Sequence, residues 1–325
     1  MLAASCCAGQ TTEATVMVTT GIATPEAEPE AELVYAPIEA AEVSRRLWPQ
    51  PAPSAYAPAS AEQATALREL IGRMMGGRLA GLAAAAEAAG YAVEGWEIGG
   101  ERFVAAVERS DGRRGGGAFV VRVGSTSPVI LQAPHAFFDL GTERIAVELM
   151  FAERGWPRAL FVNTVHRYLG ADGVKRRAAD APADPCHREE HLFAVATAAA
   201  VEQVPGAEVV QLHGFGDDPD DGDGPAFAAI VSGGAATPTP RSRAVAERLR
   251  AELGVKIGLY PVDTDRLGAT TNVQGRAIRA YNERTGAAAT FVHVELAASL
   301  RQQLRADAEA RRRLAAALRP PTSGM

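Results

Sequence analysis

The sequence predicts an α/β fold: a mostly parallel or mixed central sheet with helices on both faces, preceded by a disordered N-terminal tether and a small helix-plus-hairpin region. Two observations carry this. From Val129 onward, short apolar runs alternate with amphipathic stretches of about 10–15 residues, the rhythm of strand–helix–strand units. Those runs are mainly apolar, as strands covered on both sides are, whereas the segments before them alternate between glycine-rich turns as hairpins do.

The 325 residues divide into four stretches on this reading, 1–59, 60–125, 126–305 and 306–325. The opening Met1-Leu-Ala-Ala-Ser-Cys6-Cys7 is like the end of an export signal, with small residues before Cys6 as in a bacterial lipoprotein cleavage box. That pattern predicts an exported protein, periplasmic, extracellular or lipid-anchored at Cys6; without it the expectation is a cytoplasmic one. Residues 22–58 are rich in Ala, Pro and Glu and read as a solvated tether.

Ser60-Ala-Glu-Gln63 is a capping box opening a helix to about Ala89, interrupted at Gly76-Gly77. Tyr91–Ile98, Arg102–Arg109 and Ala118–Val123 are hairpin strands. Strands then follow at Val129–Ala133, Arg158–Asn163, Glu208–Leu212, Ala226–Ser232, Lys256–Tyr260 and Ala289–Leu296. Helices are expected at Thr142–Arg154, Asp184–Gln203, Arg241–Leu253 and Gln274–Arg284, with a last one over Leu296–Leu318.

Composition narrows the chemistry. A net charge of −6 and a pI near 5.6 argue against a general nucleic-acid binder, which wants a basic face. No apolar run reaches the roughly 18 residues of a membrane helix. Three cysteines cannot build a disulfide scaffold or a thiolate zinc cluster, which leaves His, carboxylate, Arg and hydroxyl groups. Cys186 is a lone thiol with no Cys/His/Asn pattern around it.

In open α/β sheets, ligands gather beyond the carboxyl ends of the strands. Three strand ends here carry metal-binding residue types: Gln132-Ala-Pro-His135-Ala-Phe-Phe-Asp139-Leu-Gly-Thr-Glu143, Gln211-Leu-His213-Gly-Phe215 and Phe291-Val-His-Val-Glu295-Leu. A catalytic zinc takes about three His or carboxylate ligands and keeps one position open. His135, Asp139 and His213 meet that number, and Glu295, an acid on an apolar strand, is left to act as general base. Taken singly each residue also has an ordinary reading: His135 and His213 as loop or turn histidines, Asp139 or Glu143 as a helix cap.

These stretches resemble the zinc carboxypeptidase superfamily, and within it N-formylglutamate amidohydrolases and poly-gamma-glutamate hydrolases. The shared motifs are Ala133-Pro-His135, Asp139-Leu-Gly-Thr142, Leu212-His213-Gly-Phe215, His293-Val-Glu295-Leu and Thr271-Asn272-Val-Gln-Gly275-Arg276. The resemblance spans Val129 to Leu304. It implies Zn2+ on His135, Asp139 and His213, Glu295 as base, and Arg276 with Asn272 gripping a substrate carboxylate. It also implies an amide substrate in a peptide or N-acyl amino acid, a cell-wall fragment if the protein is exported.

The chain departs from that pattern too. The acid follows the first His by four residues rather than three and is Asp rather than Glu, which keeps Glu143 as an alternative ligand. Ala136 and Phe137 replace small residues and are expected to reshape the mouth, which motivates a catalytically silent binding protein as the alternative function. His166 and Arg167 follow a strand end, where a substrate contact is expected. His187-Arg-Glu-Glu190-His191 has the spacing of an inverted zincin helix, in poor context so close to Asp184-Pro185. The acidic run Asp217–Asp223 lacks a regular calcium-loop spacing and reads as a solvated loop.

Overall fold

A computed structural model describes residues 33–50, 52–178, 181–217 and 227–320. Cys6, Cys7, the first part of the tether and most of the acidic run lie outside them.

The chain enters through β1 (Tyr35–Pro37) and α1 (Ala40–Leu47), followed by α2 (Ala61–Met75) and α3 (Leu82–Ala89). The hairpin strands are β2 (Tyr91–Ile98), β3 (Glu101–Glu108) and β4 (Ala118–Arg122). Then come β5 (Val129–Ala133), α4 (Thr142–Ala152), β6 (Ala159–Val162), α5 (Leu192–Gln203) and β7 (Glu208–Phe215). The chain continues through β8 (Ala229–Ser232), α6 (Pro240–Leu253), β9 (Ile257–Leu259), α7 (Val273–Thr285) and β10 (Thr290–Ala297), and ends in α8 (Ala298–Ala306) and α9 (Ala308–Leu318).

Among the described residues, ten strands join one mixed sheet in the order β1-β2-β3-β4-β6-β5-β7-β10-β8-β9. Its centre is parallel, with β6, β5, β7 and β10 running together, and antiparallel pairs lie on either side. The hairpin region is thus joined to the rest edge to edge through β4 and β6.

Both faces are covered. On one, Leu131, Val210, Leu212, Val292 and Val294 pack with apolar residues of α1, α4, α6, α8 and α9. On the other, Ile130, Val209 and Phe291 pack with α2, α3, α5 and α7. Among the described residues, no helix is long and apolar enough to cross a membrane.

Three expectations change. The tether is shorter than 22–58, because Val43 and Leu47 bury one side of α1 and the Trp48 indole donates to the Asn163 carbonyl at 2.9 Å. The helix expected from Asp184 begins at Leu192. Its first residues fold back instead, because the Asp184 carboxylate accepts from the Cys186 amide at 3.0 Å and pairs with groups on other loops. The C-terminal helix is two, parted at Asp307, whose carboxylate caps α9 by accepting from the Glu309 and Ala310 amides.

Candidate metal centre

The site grows from the second face of the sheet. Alternation along β5, β7 and β10 places Gln132, Gln211, His213, His293 and Glu295 on the same face as Ile130, Val209 and Phe291, toward the carboxyl ends. Pairing sets Glu295 beside His213 and His293 beside Gln211. Polar groups here are buried, and most are tied into a network. Gln211 Nε2 donates to Gln132 Oε1 at 2.8 Å, Gln132 Nε2 to Thr197 Oγ1 at 2.9 Å, and Asn272 Nδ2 to Gln211 Oε1 at 2.8 Å.

His135 lies two residues beyond β5. The amides of Phe138 and Asp139 both return to the His135 carbonyl at 2.8 Å, a turn that swings the Asp139 carboxylate under the imidazole. Thr142 holds the far side of the turn, its amide and hydroxyl donating to the Asp139 carbonyl. Arg301 of α8 ties the loop to the neighbouring strands, donating to the carbonyls of Leu140, Phe215 and Leu296. A side chain at Gly214 would meet the guanidinium and displace it from these carbonyls.

The two imidazoles stand edge to face, ring centres 4.6 Å apart. Asp139 Oδ2 is 3.3 Å from His135 Nδ1 and 3.1 Å from His213 Nδ1. On the opposite edges, His135 Nε2 is 3.0 Å from Asp184 Oδ1 and His213 Nε2 is 3.3 Å from Gln211 Oε1. Each ring thus has an acceptor at both nitrogens, which suits a charged imidazole; a metal taking the Nδ1 positions would leave the Nε2–H groups donating to Asp184 and Gln211, as outer-shell partners of metal-binding histidines do. Cys186 joins on the Nε2 side, its Sγ 3.8 Å from His213, and one donor atom each of His135, Cys186 and His213 lies within 4.8 Å of the others.

Electrostatics here are strongly shifted. Burial would raise the Asp139 carboxyl, but bonding to His135 and His213 outweighs it and holds the group well below its usual range. Burial opposes charge on His213, yet Cys186 and Asp139 lift it to about 9. The Cys186 thiol, against its burial, is drawn down to about 6 by the same two histidines. Burial drives Glu295 up to about 7, and together with the charge of His213 it pushes His293 well below the usual value.

A cavity of about 170 Å³ opens here, lined by His135, Arg167, Cys186, His187, His213, Asn272, His293 and Glu295 among others. Leu267 and Ala269, also on its wall, hold φ of 58° and 51°, a conformation that side chains make costly and that gathers at functional loops.

Of the residues singled out in the sequence, His135, Asp139, His213 and Glu295 come together, and Asn272 and Arg167 line or border the same cavity. Arg167 donates to Asp184 and reaches to 3.1 Å from His135 Nδ1. Arg276 does not arrive: it is exposed on α7 and pairs with Glu189 at 2.9 Å. Glu143 turns back to accept from the Gly141 amide at 2.9 Å, at the start of α4. Phe138 leans on His166 and Tyr168, and Phe137 faces a separate groove along α1 and α4.

The zincin spacing dissolves because no helix carries it. His187 pairs with Asp184 at 3.2 Å, whereas His191 is the buried cap of α5, stacked on Tyr56. Asp217 accepts from Ser299; the rest of the acidic run lies outside the described residues. The sequence reading takes Cys186 for a lone thiol and Asp184 for a helix start beside His187, and gives no role to Gln211 and His293. The signal for the last two was the alternation that puts them two residues from His213 and Glu295 on one face.

Fold and site together define an α/β protein with a buried histidine–carboxylate centre at the carboxyl ends of parallel strands. No family model matches the chain, and no curated protein matches it. Among solved structures it is similar to an N-formylglutamate amidohydrolase from Ralstonia eutropha JMP134, with 15% identity over 60% of this chain and 92% of that one, at a TM-score of 0.37. It is also similar to an aspartoacylase family protein from Mesorhizobium loti, with 14% identity over 62% of this chain and 60% of that one, at a TM-score of 0.37.

Proposed function

We propose that this protein is a metal-dependent amide hydrolase. The observation that carries the reading is one carboxylate oxygen, Asp139 Oδ2, facing the Nδ1 atoms of two histidines whose other nitrogens already have acceptors. Two imidazoles and a carboxylate are a donor set suited to zinc, so His135, His213 and Asp139 would hold the ion. When bound there, zinc supplies Lewis acidity, polarising a carbonyl and lowering the pKa of water toward about 7.

The chain's own groups account for the remaining tasks. Glu295 is buried, with Oε2 unpartnered, in the cavity beside His213. A carboxyl lifted to about 7 is matched to taking a proton from the attacking water and returning it to the departing amine at neutral pH. Arg167, held in place by Asp184, presents positive charge where the carbonyl oxygen gains negative charge. Asn272 is fixed as the α7 cap, its Oδ1 accepting from the Gly275 amide at 3.1 Å, and stands in the cavity lining where it would contact the substrate.

The cavity is below the roughly 300 Å³ of an ordinary ligand pocket, which favours a compact group, as in a small peptide or an N-acyl amino acid.

Elemental analysis of the purified protein and its His135→Ala variant tests this reading. About one tightly held zinc per chain, lost in the variant, is expected, with amine release from an amide panel by the parent alone. No zinc in either, even after zinc is offered at neutral pH, refutes it. Zinc without turnover on any amide points to a silent binding protein instead.

A further inference from the structure

Cys186 has no part in the chemistry proposed above, although it stands in the wall of the same cavity. Its neighbours in sequence give it no partner; the fold supplies two. His213, 27 residues on, brings Nε2 to 3.8 Å from Cys186 Sγ, within reach for the larger sulfur atom. On the other edge of that ring, His213 Nδ1 is 3.1 Å from Asp139 Oδ2, which comes from 74 residues back along the chain. Each of the three groups faces the next, in the order of a nucleophile, its base and the acid that orients the base.

The surroundings suit that order. Cys186 is 2% exposed and fixed at both backbone groups, its amide donating to Asp184 Oδ1 at 3.0 Å and its carbonyl accepting from the Val273 amide at 2.9 Å. A nucleophile held this way keeps its aim. Gln211 Oε1, itself fixed by Asn272, shares the His213 Nε2 atom at 3.3 Å and steadies the ring. Arg167 lines the cavity with its Nε buried and without a hydrogen-bond partner, a donor left over for an oxygen that gains negative charge.

We propose that the metal-free protein is a thiol-dependent acyl hydrolase acting on small activated esters, such as thioesters or aryl esters, with Cys186 as nucleophile, His213 as base and Asp139 orienting His213. His213 takes the Sγ proton as sulfur attacks the carbonyl carbon, with Arg167 facing the carbonyl oxygen. The bond to the leaving group breaks, that group takes the proton from His213, and the acyl group stays on Cys186 as a thioester. Water then attacks the thioester, its proton passing through His213 to sulfur, which releases the acid and restores the thiol. A good leaving group is needed because Arg167 alone opposes the charge on the carbonyl oxygen. The cavity of about 170 Å³ keeps the acyl group short.

This activity and the metal-dependent one exclude each other. An ion on His213 Nδ1 and Asp139 would withdraw the orienting carboxylate and leave the ring proton on Nε2, where Cys186 needs a lone pair. That exclusion, unlike the nucleophile itself, rests on the ligand set proposed above.

The test uses the metal-free full chain carrying Cys6→Ser and Cys7→Ser, so that this thiol pair does not react. The probe is p-nitrophenyl acetate, read by nitrophenol release and by peptide mass mapping. A burst of about one nitrophenol per chain is expected, with one acetyl group on Cys186. Cys186→Ala and Cys186→Ser should each lose the burst. His213→Gln should slow acylation about 10²-fold or more, and Asp139→Asn about tenfold or more. One equivalent of zinc should suppress acylation of the parent.

No acetyl group on Cys186 in the parent overturns the nucleophile and leaves the metal-dependent reading standing, since zinc content and amide turnover are measured separately. A burst that persists in both Cys186 variants overturns it as well. Acetylation of Cys186 at the parent rate in His213→Gln and Asp139→Asn, with native circular dichroism, would show an ordinary reactive thiol and equally overturn the proposal. Acylation that needs both residues but is untouched by zinc supports the nucleophile and removes His213 and Asp139 from the proposed metal ligands.

Discussion

Two buried glutamates make opposite use of the same chemistry. Glu108, at the end of β3, is 8% exposed, and Glu295, on β10, is 7% exposed; burial pushes both carboxyls up. Around Glu108 every donor is in place: the amides of Arg114, Gly115 and Gly116 and the Thr164 hydroxyl point at its two oxygens from 3.0 to 3.2 Å. Glu295 has an unpartnered oxygen and a cavity in front of it. The first carboxylate is spent on holding a glycine turn against the β6 end. The second is left unsatisfied where a reacting molecule can reach it. Burial alone therefore says little about function; an unfilled hydrogen-bond requirement that faces a cavity says much more.

That contrast is sharpest under substitution. Glu295→Gln should lower turnover by about 10²–10⁴-fold, the usual share of a general base, while the tightly bound zinc stays at the parent value. Its stability should hold or rise slightly, because an unsatisfied buried carboxyl is removed. Turnover on the amide panel together with a denaturant melt reads both quantities. Retained turnover would strip Glu295 of the role that its open oxygen suggests.

Glu108→Ala should do the reverse. Three amides and a hydroxyl lose their acceptor in a buried turn, and even with water entering, the loss should be about 3 kcal/mol or more. Tightly bound zinc per folded chain should not change. A melt indistinguishable from the parent would show that the four hydrogen bonds contribute nothing net, and the distinction drawn between the two glutamates would collapse.

The sequence exposes the second glutamate and hides the first, for a physical reason. His135, His213 and Glu295 are legible because each interrupts or ends an apolar run at a strand's carboxyl end, a local pattern. Glu108 ends a hairpin strand in an unremarkable setting, and what makes it structural is a loop six to eight residues on together with Thr164, 56 residues away. Asp184 is hidden similarly: its partner His135 is 49 residues distant, and Asp184-Pro185 looks like a helix start. Arg276 was misplaced because nothing local says which way a helix turns, and α7 turns it to solvent. Elements read well for the same reason, since periodicity is local. The exception is β1 and α1, where an Ala/Pro/Glu composition conceals that Val43 and Leu47 share a buried side.

His191 tests whether an unpartnered atom suffices without a cavity. It is fully buried, stacks on Tyr56 with ring centres 5.4 Å apart, and its Nδ1 accepts from the Phe193 amide at 3.1 Å while Nε2 has no partner. Burial, only partly offset by Asp184, drives its pKa down to about 4, so it is neutral in the folded chain at pH 7. Unfolded, it would titrate near 6.5, so between those values the unfolded chain binds more protons than the folded one. Its contribution is therefore complete above about pH 6.5 and drains away as pH falls toward 4, by at most about 3 kcal/mol. His191→Asn keeps a side-chain acceptor for the helix cap and removes the titration. Denaturant midpoints measured from pH 7 to pH 4.5 should fall more steeply for the parent than for the variant, with zinc content at pH 7 equal in the two. Parallel acid limbs would mean that His191 is protonated in the fold at little cost. Lost zinc in the variant would mean that this histidine belongs with the site despite facing away from the cavity.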